Sequence, residues 1–284
     1  MPSLREIRRR IASTKDIQKI TKAMQTVAGV RLRRAQNRLF AARPYAQKLD
    51  EMMKHLAGQT ADERHPLMTA REVRKSALIV VTADRGFCGG FNSNVVRSAM
   101  NRVQEGSPIP GLICIGRKGS DTLSRNRLEI LSSYTDVFQS LEYSQAGEIA
   151  DQVTSLFLGG KIDRVDLLYN EFKSAGQQIL VSEQLLPVPP IPVDSDPEFT
   201  GYLYEPSQPE LLNGLVPQHI RFQLWRVLLE SNTAEEAARM LAMDNATRNA
   251  SDLIDELTLT ANKIRQETIT SELMDIVGGA EALK

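Results

Sequence analysis

From Ser3 to about Leu56 the apolar side chains fall at Leu4, Ile7, Ile11, Ile17, Ile20, Met24 and Val27, in steps of 3 or 4 with one skip at Thr14. That spacing predicts a helix with an apolar stripe. Ser3 and Glu6 form the pattern of a capping box at its start, and the stretch holds only Pro44 and Gly29 as breakers. The other end of the chain reads the same way. After Pro217 no proline follows, and no glycine before Gly278. Apolar or small residues recur at Leu224, Val227, Ser231, Ala234, Ala238 and Leu241, then at Ala250, Ile254, Leu257, Ala261 and Ile264. Helices over these stretches, the second from about Pro217 to Val277, would be ~75–80 Å and ~90 Å long. Two such helices with 3-4 seams should pair as an antiparallel coiled coil. Each large seam residue contributes ~1.5–3 kcal/mol gross on burial, against ~0–1 kcal/mol for an exposed ion pair. The seam should hold the pair, and charge should set its orientation.

The middle of the chain alternates short β-rich runs with helical patterns. Ser76 to Thr82, Gly111 to Gly116 and Leu128 to Tyr134 read as strands. Residues 92–105, 117–126 and 144–158 read as helices. Asp163 to Phe172 and Gln178 to Leu186 read as two more strands, joined by the hairpin signal Ser174-Ala175-Gly176. Alternation of this kind predicts an α/β domain of Rossmann-like type, its sheet mainly parallel with an antiparallel edge. Residues 187–209 are rich in proline and read as an extended linker. The expected organisation is a coiled-coil helix over 1–58, an α/β domain over 74–190, a linker over 191–216 and a second coiled-coil helix over 217–284.

Composition narrows the class. The chain has 284 residues, 42% of them apolar and 25% charged, which fits a folded water-soluble protein. Its longest apolar runs are about five residues, against the ~20 of a membrane helix. The N-terminus is basic but has no apolar signal core, and its helical pattern continues unbroken, so it reads as mature structure. Net charge is zero, yet residues 1–50 carry 13 basic and 3 acidic side chains, while 227–284 carry 5 basic and 11 acidic. Such asymmetry favours two segments that meet, or a basic surface facing an acidic partner.

Catalytic signals are weak. Cys88 and Cys114 make no CxxC pair, which suits a reducing compartment and offers no metal framework. His55, His65 and His219 are scattered without ligand spacing and read as solvent-exposed or capping residues. Both cysteines read as small buried residues. The segment Thr82-Ala-Asp-Arg-Gly-Phe-Cys-Gly-Gly-Phe-Asn92 follows a strand and opens a helix, where backbone N–H groups could hold phosphate. It lacks the spacing of known nucleotide loops. Gly116-Arg-Lys-Gly119 is similar. The competing reading is a tight turn whose glycines permit close packing, with Asp84 as its cap and Arg85 in a surface ion pair. Arg31, Arg33, Arg34 and Arg38 form a basic run without the aromatics of a single-strand binder, so an acidic protein partner is preferred to nucleic acid. The residues leave three readings open: a mechanical coiled-coil part, a nucleotide-binding α/β enzyme, or a nucleic-acid adaptor.

Specific stretches resemble one family. Leu4-Arg-Glu-Ile-Arg-Arg-Arg-Ile11, Ile20-Thr-Lys-Ala-Met24, Leu32-Arg-Arg-Ala-Gln36 and Arg43-Pro-Tyr45 look like the gamma subunit of F-type ATP synthase. So do Arg85-Gly-Phe-Cys-Gly-Gly-Phe-Asn92, Tyr204-Glu-Pro-Ser207, Ala238 to Ala250 and Asn262-Lys-Ile-Arg-Gln-Glu-Thr-Ile269. The resemblance implies a central rotor shaft that couples transmembrane proton or sodium flow to ATP synthesis in a hexamer of alpha and beta subunits. It implies no catalytic group and no cofactor or metal of its own. The implied partners are the hexamer, the epsilon subunit and the ring of c subunits, with no nucleic acid. The implied location is peripheral, on the cytoplasmic face of a bacterial membrane. Matched to the family motifs, Lys19, Lys22 and Met24 would face the acidic lever segment of beta, and Arg265 and Gln266 would meet a beta loop. Tyr202, Tyr204 and Glu205 would lie on the side of the c ring and epsilon, and Ala280 to Lys284 would form an apolar tip. The Glu230 to Ala237 stretch departs from the usual family pattern and reads as a tolerated surface change.

Overall fold

The structure is a computed structural model that describes residues 3–59, 65–105, 108, 110–189 and 208–281. The element order is α1 (Leu4–Gln59), a 3-10 turn (Pro66–Met68), β1 (Ser76–Val81), α2 (Phe91–Glu105), β2 (Gly111–Ile115), α3 (Arg117–Arg125), β3 (Ile130–Tyr134), α4 (Tyr143–Leu158), β4 (Arg164–Ser174), β5 (Gln177–Leu186) and α5 (Gln208–Glu281). The chain divides into two compact units. One comprises the residues up to Ala28 and those from Met240 onward, and the other spans Gly29–Arg239.

In the first unit α1 and α5 lie side by side and antiparallel. Thr21 meets Thr247 hydroxyl to hydroxyl at 2.8 Å, and the Gln25 amide donates to Asp244 at 2.8 Å, so the partner number rises as the α1 number falls. Ser3 caps α1 by accepting from the Glu6 N–H at 3.3 Å. The Glu6 carboxylate turns to Arg10 at 3.0 Å, so the capping box is half formed.

The seam of α1 departs from the expected stripe. Its buried positions are Ile7, Thr14, Thr21 and Ala28, one per heptad, with Leu4, Ile11, Gln18 and Gln25 half-buried between them. Ile17, Ile20 and Val27 are 52–60% exposed. A strict heptad keeps facing its partner only if it steps through Thr14, and the apolar residues beyond the skip lie on another face. The two seam hydroxyls also bond within α1: Thr14 donates to the Arg10 carbonyl at 2.9 Å and Thr21 to that of Gln18 at 3.0 Å, while Gln25 Oε1 is buried without a donor. On α5 the expected Ala250, Ile254, Leu257, Ala261 and Ile264 are buried or half-buried, while Leu241 is exposed and Met243 takes its place.

The second unit is built on a sheet of order β3-β2-β1-β4-β5. β1 runs parallel to β2 and β4, β2 parallel to β3, and β5 closes the edge antiparallel to β4. β1 is buried at five of its six positions, without alternation, as a strand covered on both faces should be. Leu78, Val80, Leu112, Cys114 and Leu168 form one face of the core with Val95, Val96 and Ala99 of α2 and Leu123 of α3. Arg221 of α5 pairs with Asp151 of α4 at 2.8 Å, and Trp225 of α5 meets Tyr143 edge-on at 6.0 Å.

The start of α5 corrects the expected boundary. Residues 208–216 are helical, so that part of the 191–216 linker belongs to α5, and Pro217 lies inside the helix. Leu212, Val216 and Ile220 are buried at intervals of four. That burial compensates the hydrogen bond an interior proline removes, and Pro209 sits in the first turn, where no such bond is needed.

Candidate functional site

α1 and α5 position most of the side chains singled out from the sequence. Lys19 and Lys22 are exposed and Met24 half-buried, one turn apart on α1, beside the uncovered Ile17, Ile20 and Val27. Lys19 meets Asp16 at 3.5 Å, with both side chains more than 70% exposed, a contact worth ~0–1 kcal/mol that leaves the lysine free to change partner. Arg265 and Gln266 are exposed on α5. From the Thr21–Thr247 crossing, Leu4 falls opposite Ile264, and Arg265 lies ~27 Å along α5 from Thr247. The structure therefore forms two separate patches. Every described side chain from Arg265 to Val277 is exposed, among them Ile269, Leu273, Met274, Ile276 and Val277 at 49–69%. Tyr202, Tyr204 and Glu205 lie outside the described residues, as does the end of the Ala280–Lys284 tip.

The charge asymmetry is scarcely used inside the chain. Among the described residues α1 and α5 are joined by one Arg–Glu pair, Arg31 to Glu236 at 3.7 Å, and by the His219–Asp50 contact at 3.6 Å. Arg34 and Arg38 have no carboxylate partner among the described residues. The basic face is thus left for something else.

Backbone donors that a phosphate would use are already taken at the start of α3 and at two positions near α2. At the start of α3, the Arg117 N–H is taken by Asp84 at 3.0 Å, the Lys118 N–H by the Ala83 carbonyl at 3.0 Å, and the Gly119 N–H by the Thr82 hydroxyl at 2.9 Å. Near α2, the Ala83 N–H goes to Asn92 and the Phe91 N–H to the Cys88 carbonyl. The packing role of glycine belongs to Gly116 and Gly119. A Cβ on Gly116 (φ +95°) would lie 2.0 Å from the Thr82 carbonyl oxygen, and one on Gly119 2.6 Å from its hydroxyl. Gly86, by contrast, faces open space. Asp84 is a cap as expected, accepting also from the Asp136 N–H at 2.9 Å. Arg85 is exposed and forms no ion pair among the described residues.

Both cysteines are buried, and burial pushes the Cys114 thiol up to about 11 and raises Cys88 as well. Neither is poised as a nucleophile. His65 caps the 3-10 turn through Nδ1, which accepts from the Leu67 N–H at 3.2 Å. His219 corrects its reading: it is 7% exposed, and burial lowers its pKa, with Asp50 opposing and Arg226 reinforcing the shift. It lies three and four residues before Phe222 and Gln223, which α5 turns toward Tyr45 and Asp50 of α1.

The sequence reading missed a buried ionic cluster. Glu230, Glu235, Glu236 and Arg239 are all under 9% exposed, so the Glu230–Ala237 stretch is core and not surface. The Glu230 carboxylate accepts from the Phe172 N–H at 3.0 Å, tying α5 to β4. Arg239 reaches Glu235 at 2.6 Å and Glu236 at 3.2 Å. Burial pushes Glu235 up to about 7, although Arg239 pulls the other way. Spacing held the one available signal, since Glu235 and Arg239 are i,i+4. Among the described residues no group of three His, Cys, Asp or Glu is arranged to hold a metal ion, and no helix is long and apolar enough to cross a membrane.

Comparison with known proteins places this geometry. A family model described as ATP synthase matches residues 3–283. The ATP synthase gamma chain of Chlorobaculum tepidum is 46% identical over 291 positions that cover all of both chains, and that of Moorella thermoacetica is 43% identical over 285, again covering all of both. Among solved structures, a chain of the central stalk and c ring of Tetrahymena thermophila mitochondrial ATP synthase aligns at 28% identity with a TM-score of 0.62, covering 80% of this chain and 99% of its own. A chain from the F1 and c-ring portion of the Euglena gracilis mitochondrial enzyme shares the fold at a TM-score of 0.74, covering 99% and 94% at 21% identity. With a family model matching 3–283 and full-length relatives at 43–46% identity, the chain belongs to the ATP synthase gamma-chain family.

Proposed function

We propose that this chain is the central rotor shaft of an ion-translocating ATP synthase, and that it supplies coupling surfaces and no catalytic group. The observation that carries the reading is the first unit's outer surface. A two-helix seam consumes Thr, Gln and Ala, while Ile17, Ile20, Val27 and the apolar end of α5 stay uncovered. Apolar side chains in such number on a helical pair call for a partner. Alpha and beta subunits of the catalytic hexamer would surround that surface. Lys19, Lys22 and Met24 would meet an acidic lever segment of beta, and Arg265 and Gln266 a second beta loop. Tyr202, Tyr204 and Glu205 would face epsilon and the c ring. Attachment to the membrane is then through partners alone, on the cytoplasmic face in a bacterium.

Mechanism follows from differential contact. Each elementary charge crossing the membrane supplies ~2.3 kcal/mol per 100 mV. A turning surface that offers Lys19 and Lys22 to one beta subunit and α5 to another stabilises different states in the three catalytic sites, which is coupling in the thermodynamic sense. The test is Ile254, Leu257 and Ile264 replaced together by Asp in the assembled complex. Ion-driven ATP synthesis should be lost, through uncoupling or failed assembly. Synthesis at the unmodified rate would refute the proposal.

A further inference from the structure

We propose that the second unit binds a phosphate-class oxyanion in a groove at the carboxyl edge of its sheet. The groove has a volume of about 400 Å³, within the ~300–1,000 Å³ of ligand sites. Asp84 and Arg85 reach it from the segment after β1, and Phe138 from the segment after β3. In open α/β sheets, ligands bind outside the carboxyl ends of the strands, where the strand order reverses. In the order β3-β2-β1-β4-β5 that reversal falls beside β1.

The walls supply donors and an acceptor. Arg31, Arg34 and Arg38 stand at i, i+3 and i+7 on α1, so one helical face turns all three to the groove. Arg34, Arg38 and Arg85 have no carboxylate partner among the described residues, and guanidinium forks match phosphate oxygens in pairs. Arg239 is occupied by Glu235 and Glu236 and acts as floor. Glu236 also lines the groove. It is 7% exposed, and its Oε2, although 3.2 Å from Arg239, receives no hydrogen bond. Asp84 Oδ2 is likewise buried without a donor. A site with converging guanidiniums and a buried carboxylate oxygen lacking a donor suits an anion that can itself donate. Hydrogen phosphate has the P–OH to do so; sulfate at neutral pH does not. This also gives the segment after β1 a ligand, held by side chains and not by the backbone N–H groups the sequence suggested.

The inference is independent of the rotor reading, because it is tested on the isolated full-length chain. Calorimetric titration at pH 7 and constant ionic strength would use inorganic phosphate, sulfate and ADP in turn. Phosphate should bind saturably, with sulfate at least tenfold weaker. If ADP binds more tightly than phosphate, the site takes a nucleotide's terminal phosphate; if it does not, the free ion. Either result supports the oxyanion site. Replacing Arg34, Arg38 and Arg85 with Ala touches only exposed side chains and should weaken binding at least tenfold, with the circular dichroism unchanged. Glu236→Gln should reduce the preference for phosphate over sulfate, Asp84 Oδ2 remaining as the second acceptor. Absence of saturable binding by phosphate and ADP up to about 10 mM, equal affinity for sulfate, or full affinity in the triple-arginine variant would each overturn the proposal.

Discussion

Glu235→Gln tests the buried cluster most directly. One guanidinium, that of Arg239, serves two carboxylates, Glu235 at 2.6 Å and Glu236 at 3.2 Å. Burial outweighs this pairing and lifts Glu235 from 4.5 to about 7. Between those values the folded chain keeps a proton that the unfolded chain releases. The stabilisation is therefore complete below pH 4.5 and lost as pH rises toward 7. At 1.36 kcal/mol per unit, the loss amounts to about 3 kcal/mol. Glutamine keeps the shape and an acceptor for Arg239 but does not titrate. The variant and the parent should thus be nearly equal in stability near pH 4.5, and the variant ahead by about 3 kcal/mol near pH 7. Taking the difference cancels Glu230, whose pKa burial also raises. Urea unfolding followed by the fluorescence of Trp225, the chain's one tryptophan, reads the second unit. A stability difference that stays constant across this range, or shrinks, would refute the account.

Three further outcomes can be stated. Ile7→Ala removes a residue 2% exposed in the seam and should cost about 2–4 kcal/mol, whereas Ile20→Ala, at 60% exposure, should change stability by less than about 0.5 kcal/mol; helical melting by circular dichroism separates them. Gly116→Ala forces a Cβ to within 2.0 Å of the Thr82 oxygen at φ +95° and should cost more than about 4 kcal/mol, seen as loss of the cooperative transition. Arg71 donates to the Phe157 and Ile162 carbonyls, pairs with Asp163 at 2.8 Å and covers the Phe157 ring, so Arg71→Ala should cost about 2 kcal/mol and lower the melting temperature by several degrees.

The two helices and the α/β middle were legible because periodicity and turn chemistry are local. Every strand and helix of the middle lies within two residues of its expected ends, and Ser174-Ala175-Gly176 does join β4 to β5. The α1 seam was not legible. Hydrophobic spacing favours Ile17, Ile20 and Val27 over Thr14, Gln18, Thr21 and Gln25, yet only the second set continues the heptad through Ile7, Thr14, Thr21 and Ala28. Two of these polar side chains find partners on α5, Gln25 through Nε2 with Asp244 and Thr21 with Thr247, each at 2.8 Å. Such partners lie more than 200 residues away and leave no local trace. Glu235 and Glu236 misled for the same reason: charge suggests surface, and the arginine that permits burial becomes meaningful only once the helix is packed. Of the proposed contact residues, none was legible from spacing at all; resemblance alone named them.

The contrast along α5 links this failure to the function. From Val227 to Ala237 all but one residue is buried, three glutamates included, while from Arg265 to Val277 every described side chain is exposed, with Ile, Leu, Met and Val among them. Composition barely separates these stretches, with five apolar residues of eleven in the first and five of thirteen in the second. What decides is the company of each: the first stretch packs within the α/β unit, and the second runs past Leu4, where α1 begins. An isolated helix of 12–15 residues is marginal in water, so the last four to five turns of α5 depend on a surface that the described residues do not supply. The same holds for the displaced stripe on α1, whose apolar residues would have filled the seam had they served the chain's own stability. Placing Thr and Gln inside the pair and Ile and Val outside weakens the free chain and strengthens its grip on a surrounding partner. That inversion is what a part selected for torque transmission requires, and it would be a defect in a protein that worked alone.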